Sequence, residues 1–456
     1  MKKVAILTSF TSADCAYSLN NVAQDQIKML VTNGYKPVVI ASQGFKPIEN
    51  YALPEVEMRY VPAITRSNSV SIDDKFDDDV KSTYEALKEI LKDIDVVFTH
   101  DLIYQPAELK TNVACRRIAA EQPALRWLHW IHSATTPHIL LDQLNLSGET
   151  KELYTPFLKD KFPNSFLIFP NSYSRRRVAT NFGYEQDEVK TVNHPTDMFV
   201  YMDMHPMTEK LARSKDLLSA DMICVYPIRL DRGKNAEVPI EILAQAKKKG
   251  MSVRMIIVDF HSTGGDKLVY RESLKTLGAE KGLNDNELTF TSEFDDSLKS
   301  RCPRKMVRDL FLLSNVFIMA SKSESYSLIT QEAAMCGNIL LINRDFPPFI
   351  DIFGDAPYQG QFSSNMDALT GMDGETTTKF DNRNAYMSDM AGRLIYEIKN
   401  NRVLRMKDRT RKFRSLDYIF KQQLQPLIDF QPRTVQKLSK KEIEPVGNIH
   451  QDAVLL

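Results

Sequence analysis

No stretch of this 456-residue chain stays apolar for the roughly 18 residues that a membrane span needs, so no transmembrane helix is expected. The apolar run after Met1-Lys2-Lys3 is only Val4 to Leu7, too short for the core of a secretory signal. Cys15 follows Ser12-Ala13-Asp14, and the acidic Asp14 argues against lipoprotein processing. Cysteine itself is scarce: five residues, scattered, with no Cys-x-x-Cys pair. That excludes a disulfide framework and the usual zinc spacings. Thiols in or beside apolar runs read as buried side chains in a reducing cytoplasm. Net charge is missing too, since Lys plus Arg and Asp plus Glu each total 59. No global field draws the chain to nucleic acid or an anionic membrane, so any such binding must come from local patches. Glycine is absent before Gly34, which rules out a dinucleotide-binding Gly-x-Gly-x-x-Gly turn after the first strand. No strand runs into a nucleophile elbow, so serine hydrolase chemistry is excluded.

What is present is alternation. Short apolar runs read as strands at Val4–Leu7, Val38–Ala41, Val96–Thr99, Trp127–Ile131, Phe166–Phe169 and Val189–Val192. A second set comes at Ile223–Tyr226, Val253–Val258, Leu288–Thr291, Val316–Met319 and Ile339–Ile342. Helix-period stretches such as Leu19–Val31, Val80–Leu91 and Val238–Lys249 separate most of them. Alternation of this kind predicts parallel sheets with helices on both faces, and two runs of it predict two doubly wound, Rossmann-like α/β domains. The periodicity lapses near Asp203-Met204-His205-Pro206, which sets one domain over 1–202 and another over 203–400. A basic helical segment over 401–430 and a loosely ordered tail over 431–456 complete the chain.

Two strand ends carry the chemistry. After Val316–Met319 comes Ser321-Lys322-Ser323-Glu324-Ser325-Tyr326-Ser327-Leu328, and then an apolar-periodic stretch containing Glu332. This reads as strand, turn and helix, with free backbone N–H groups at the helix start to receive an anion. Continued as one helix, the eight positions from Glu324 to Glu332 turn by only about 80° and advance roughly 12 Å. Two carboxylates so placed would reach the two ends of a nucleotide-sugar; an ordinary capped helix with two solvated carboxylates is the other reading of the glutamates alone. Upstream, Ile223–Tyr226 leads into Pro227-Ile228-Arg229-Leu230-Asp231-Arg232-Gly233-Lys234-Asn235. Arg229 and Lys234 place two cations in one strand-end loop, as a diphosphate requires, although taken alone the segment reads as a solvated loop.

The pattern Ser-x-Ser-Glu, seven residues, Glu-Ala, then Cys-Gly, resembles the Glu-x7-Glu signature of the retaining family 4 glycosyltransferases, which have the GT-B fold. In that family the first Glu holds donor-sugar hydroxyls, the second holds ribose hydroxyls, and an Arg/Lys pair like Arg229 and Lys234 binds the diphosphate. The resemblance extends to Asp95-Val96-Val97-Phe98-Thr99-His100-Asp101, to Leu128-His129-Trp130-Ile131-His132-Ser133, to Phe169-Pro170-Asn171-Ser172 with Arg175 to Arg177, and to Val192-Asn193-His194-Pro195-Thr196-Asp197. Two departures stand out. Ser325 and Ser327 replace two glycines of the family pattern, and Thr8-Ser9-Phe10-Thr11-Ser12-Ala13-Asp14 replaces a Gly-Gly loop. The wording around His261 to Asp266 and Asn343 to Pro348 resembles glycosyltransferase-like proteins of tailed phages.

The resemblance implies a GT-B enzyme whose domains face a central cleft, with an acceptor-side N-terminal domain, a donor-binding C-terminal domain and a crossover helix in 401–430. It implies catalytic roles for Glu324, His132, Arg229 and Lys234. Donor binding falls to Ser323, Ser325, Tyr326, Ser327, Leu328 and Glu332, and the acceptor side to Thr11, Ser12, Asp14, His100 and Asp101. The donor would be a nucleotide-diphosphate sugar such as UDP-glucose, moved to an acceptor hydroxyl with retention. No cofactor and no metal are expected. Asp77-Asp78-Asp79 formally contains Asp-x-Asp but reads as the solvated start of a helix. Lys247-Lys248-Lys249-Gly250 reads as a helix end. From Arg402 to Arg414 seven basic residues face one acid, and Val403, Leu404, Met406 and Phe413 predict a packed helix with a solvated basic face. Nucleic-acid contact is a second use open to that face. Two alternatives stand beside the glycan or small-molecule transferase: a phage enzyme acting on hydroxymethylated pyrimidines in DNA, and a non-catalytic nucleotide-sugar-binding protein.

Overall fold

The computed structural model describes residues 2–10, 12–13, 18–61, 75–132, 148, 152, 155–156, 160–259, 266–322, 324, 326–362 and 382–430. Two sheets form, and every strand pair in them is parallel. The first contains β1 (Lys3–Leu7), β2 (Lys36–Ser42), β3 (Glu57–Val61), β4 (Val96–His100), β5 (Arg126–Trp130), β6 (Ser165–Phe169) and β7 (Val189–Thr191). The second contains β8 (Met222–Pro227), β9 (Val253–Val258), β10 (Leu288–Phe290), β11 (Val316–Met319), β12 (Ile339–Asn343) and β13 (Tyr358–Gly360). Central strands such as Val4–Leu7 and Val316–Met319 are buried throughout, as parallel strands covered by helices on both faces must be. All the expected strands form. Two edge strands were not anticipated, Glu57–Val61 and Tyr358–Gly360, because an edge needs no apolar run.

Sheet order positions the site. The first sheet runs β3-β2-β1-β4-β5-β6-β7 and the second β10-β9-β8-β11-β12-β13. In each the strand order reverses once, between β1 and β4 and between β8 and β11. At such a reversal the flanking loops diverge to opposite faces and leave a crevice beyond the carboxyl ends of the strands. With the chain crossing back after the second domain, this is the two-domain Rossmann-like GT-B architecture.

The first sheet has a buried apolar cluster on each face. One of them is completed from the far end of the chain by Leu416, Ile419, Phe420, Leu424 and Ile428. The Arg126 guanidinium donates to the Leu427 carbonyl at 3.0 Å, and Gln423 Nε2 donates to Asn193 Oδ1 at 2.9 Å. The second domain has one core, from Phe199 to Ile398. The chain thus passes between the domains twice, and the two passages are tied where the Thr196 N–H donates to the Arg414 carbonyl at 2.7 Å.

The helix Arg402–Phe413 packs on the second domain, and the return to the first begins only at Leu416. Its expected packing is corrected. Leu404 is buried, but Val403 and Met406 are 77% and 63% exposed, and Phe413 is also exposed. The packed face is polar instead. Arg411, 1% exposed, donates to the carbonyls of Leu217, Leu218 and Ala220 at 2.7–2.9 Å and to Asp408 at 3.0 Å. Asp77, Asp78 and Asp79 occupy the first turn of the helix Phe76–Ile90, and Lys247 and Lys248 the last turn of Glu237–Lys248, as the sequence predicts.

Candidate functional site

The β8 and β11 loops meet at the second switch point. Buried Tyr226, near the end of β8, donates its hydroxyl to the Lys234 carbonyl at 2.6 Å and so fixes the return of the loop. Asn235 takes a left-handed φ of 52° and donates to the Phe362 carbonyl at 3.2 Å. The backbone N–H of Lys322 then donates to the Gly233 carbonyl at 2.9 Å, joining one motif to the other. Across that seam the Lys234 ammonium forms an ion pair with Glu324 Oε1. The same oxygen accepts from the Ser321 hydroxyl at 3.1 Å. Asn343 supports Ser321 from β12 by donating to its carbonyl at 3.0 Å.

Arg229 lies in the same loop, but its side chain is 64% exposed, with Asp231 3.9 Å away. Glu332 sits on the helix Leu328–Met335 and pairs with exposed Arg304 at 2.6 Å. The helix begins at Leu328, so Glu324 precedes it, and the single-helix geometry expected for the two carboxylates is corrected to a loop residue and a helix residue. The reason is Ser327. Its φ of 66° and ψ of 73° lie in the left-handed region, which breaks the helix before it reaches Glu324. Its hydroxyl bonds Thr330 Oγ1 at 2.8 Å. Tyr326 and Leu328 are exposed beside it. The expectations for Ser323, Ser325, Thr11 and Asp14 lie outside the described residues.

The first switch point is built differently. His100 ends β4, and its Nδ1 lies 2.9 Å from His132 Nε2, just past β5. His132 stacks in turn on His194, with ring centroids 5.6 Å apart and planes within 4°. His100 Nε2 meets Gln26 Oε1 at 3.1 Å. With that oxygen as the acceptor the tautomers are fixed. His100 carries its proton on Nε2, its bare Nδ1 accepts from His132 Nε2–H, and the His132 Nδ1 lone pair is left over. Burial holds His132 down at about 4 and His100 well below the ordinary range. Burial, and then His132, lower His194. All three rings are therefore neutral at neutral pH. Asp101, with a φ of 54°, turns its carboxylate back on the sheet, where Oδ1 accepts from the His132 N–H at 2.8 Å and from the Tyr104 hydroxyl. The Ser12 carbonyl accepts from Asn20 at 3.0 Å. Among the described residues no group of His, Cys, Asp or Glu is arranged to hold a metal ion.

The sequence reading missed Arg304, Gln26 and the part His194 plays. A pairing across 28 positions leaves no local signal, as with Arg304 and Glu332. His194 had one: it is a third histidine just beyond a strand of the same sheet.

The fold and site thus define a two-domain α/β protein with a charged crevice in one domain and an imidazole-lined crevice in the other. No family model matches the chain. No curated protein matches it either. Among solved structures, a glycosyltransferase from Rickettsia africae is similar at 14% identity and a TM-score of 0.33, with 94% of this chain and 98% of that one covered. A sucrose-phosphate synthase from Thermosynechococcus elongatus is similar at 15% and 0.32, covering 92% and 95%. HepE from Anabaena, solved with UDP and glucose, is similar at 14% and 0.32, covering 92% and 97%. Superpositions this loose transfer neither residues nor chemistry.

Proposed function

We propose that this chain is a retaining glycosyltransferase that moves a sugar from a nucleotide-diphosphate donor to an acceptor hydroxyl without a metal ion. The observation that carries the reading is the meeting of Lys234 and Glu324 where the β8 and β11 loops flank the switch point. That crevice is where a doubly wound sheet receives its ligand. The residues gathered there match the ligand's parts: cations for a diphosphate, carboxylates for sugar and ribose hydroxyls.

In this reading Lys234 and Arg229 take the leaving diphosphate, which gains charge as the bond to the anomeric carbon breaks. Glu324 orients the sugar hydroxyls, Glu332 the ribose hydroxyls, and the backbone after Ser323 adds N–H donors. The neutral His132 meets the sugar or the acceptor from the first domain, where an uncharged ring suits a hydroxyl. The bond from the anomeric carbon to the acceptor oxygen forms on the face that the diphosphate leaves. The acceptor's proton passes to the departing phosphate oxygen, so configuration is retained and no carboxylate nucleophile is needed.

The test is a thermal-shift screen of nucleotide-sugars headed by UDP-glucose, with mass analysis of glycan, lipid-linked and hydroxymethylated-DNA acceptors as its second stage. One donor should stabilise the fold and then be consumed, with or without EDTA. No stabilisation by any donor would sink the reading. Binding without hydrolysis or transfer would make the chain a nucleotide-sugar sensor, and turnover abolished by EDTA and restored by manganese would remove the diphosphate from Arg229 and Lys234.

A further inference from the structure

The helix Arg402–Phe413 is built inside out. Its one acid, Asp408, is buried with Arg411, while its solvent side presents Arg402, Arg405 and Arg409 next to Val403 and Met406. At 3.6 residues per turn the three arginines form a stripe about 60° wide, and Met406 and Val403 continue it within roughly another 100°. Arg409 also leans over the Phe413 ring, 5.8 Å from its centroid. None of the three arginines meets a carboxylate among the described residues. The apolar surface continues beyond the helix. An open groove of about 580 Å³ runs up to it, lined mainly by apolar residues such as Leu340, Phe353, Val403 and Leu404, with Glu397 and Asn401 among its polar ones. Met335, next to Ala334, is 88% exposed.

We propose that this face docks on an anionic lipid surface. A solvated helix gains nothing from leaving valine and methionine in water beside unpaired guanidinium groups, and such a patch marks an interaction site. A nucleic acid would use the arginines and leave Val403, Met406 and Met335 wet. A bilayer interface uses both. Headgroup phosphates accept the planar guanidinium forks, and the aliphatic side chains enter the boundary of the acyl chains. With a formal net charge of zero, the attraction does not come from the molecule as a whole and must come from local faces such as this one. The proposal is independent of the enzymatic reading.

The test is sedimentation of the full chain with vesicles of phosphatidylcholine alone and with phosphatidylglycerol added. The chain should bind only the anionic vesicles, more weakly as salt rises. Each arginine changed to alanine should lower the partition coefficient about fivefold, and R402A/R405A/R409A together about a hundredfold. Val403→Ser with Met406→Ser should lower it about tenfold at unchanged charge. All these side chains are exposed, so the variants should melt as the parent does. Arg405→Glu alone gives a second line of evidence should the triple variant fold poorly. Equal binding to both vesicle types, no binding to either, or an arginine triple variant that binds like the parent would overturn the proposal. So would retention on duplex DNA that needs the arginines and ignores the serine pair.

Discussion

In the first domain the switch-point crevice holds three stacked imidazoles, all neutral, and a carboxylate, Asp101, turned back on its own sheet. In the second it holds Lys234 against Glu324 with Arg229 in solvent, while Glu332 pairs with Arg304 on the helix that follows. The topology is the same and the electrostatics are opposite. Topology alone therefore provides a crevice and does not choose its ligand. The choice lies in the residues just past each strand. β4 and β5 lead into histidines that burial keeps uncharged. β8 and β11 lead into polar loops that reach solvent and can keep full charges. A charged crevice suits the part of a substrate that leaves as an anion, and a neutral one suits a hydroxyl.

The comparison breaks most sharply at Lys234. Lys234→Ala and Arg229→Ala should each cost about 2.7–4 kcal/mol in transition-state stabilisation, a hundred- to a thousandfold in kcat. Asp77→Ala and Asp79→Ala, in the first turn of a surface helix, should change rate by less than about twofold. Steady-state kinetics on the four variants, each with native melting, decide this. Equal losses in both pairs would place the donor elsewhere.

The neutral crevice is probed by acid. Burial lowers the folded pKa of His132 from 6.5 to about 4. The unfolded chain therefore takes up a proton first as pH falls. Stability is full above about 6.5 and declines toward 4, by about 3 kcal/mol for His132 alone. His100 and His194, also lowered, add losses of the same sign. Asp25 runs the other way. Burial and then Asp197 raise it to about 7, so its contribution weakens as pH rises from 3.8 toward 7. Urea titrations from pH 8 to pH 4 should show a shallower acid loss in His132→Gln than in the parent. The same slope in both would mean that the ring is already charged or solvated.

On the helix that follows the charged loop, Glu332 sharpens the difference between binding and chemistry. Glu332→Ala should raise the donor KM about tenfold and change kcat less, since ribose contacts are the same in the ground and transition states. Arg304→Ala removes the partner that orients the same carboxylate and should move KM in the same sense, but by less, because Arg304 is a surface cation. A large kcat loss at unchanged KM would assign Glu332 to the reaction itself.

The sequence made the strands of both sheets legible because a strand buried on two faces has no choice but to be apolar. Edge strands have that choice, and Glu57–Val61 and Tyr358–Gly360 passed unseen. Lys234 and Glu324 were legible as members of two strand-end motifs. Their direct contact was not, since it depends on β8 and β11 lying side by side. The inverted helix Arg402–Phe413 marks the firmest limit. Periodicity assigns apolar residues to the packed face, but the buried carbonyls of Leu217, Leu218 and Ala220 needed a donor, and Arg411 took that face.

The smallest effect separates two reasons for the break before the site helix. Ser327 sits at a left-handed φ of 66° and also bonds Thr330 through its hydroxyl. Either could hold the turn. Ser327→Ala and Ser327→Gly both lose the hydroxyl, at a cost of roughly 0.5–1.5 kcal/mol each. Only alanine keeps a Cβ in the left-handed region, where the strain is about 1–2 kcal/mol. Glycine escapes that strain and returns part of the gain as unfolded-state entropy, roughly 0.5–1 kcal/mol. The glycine variant should therefore be about 1 kcal/mol more stable than the alanine variant, read from paired denaturant titrations. Its donor KM should stay near the parent's, because the helix would still begin at Leu328 and Glu324 would stay in the loop. Equal stability of the two variants would mean that residue 327 does not hold the left-handed turn.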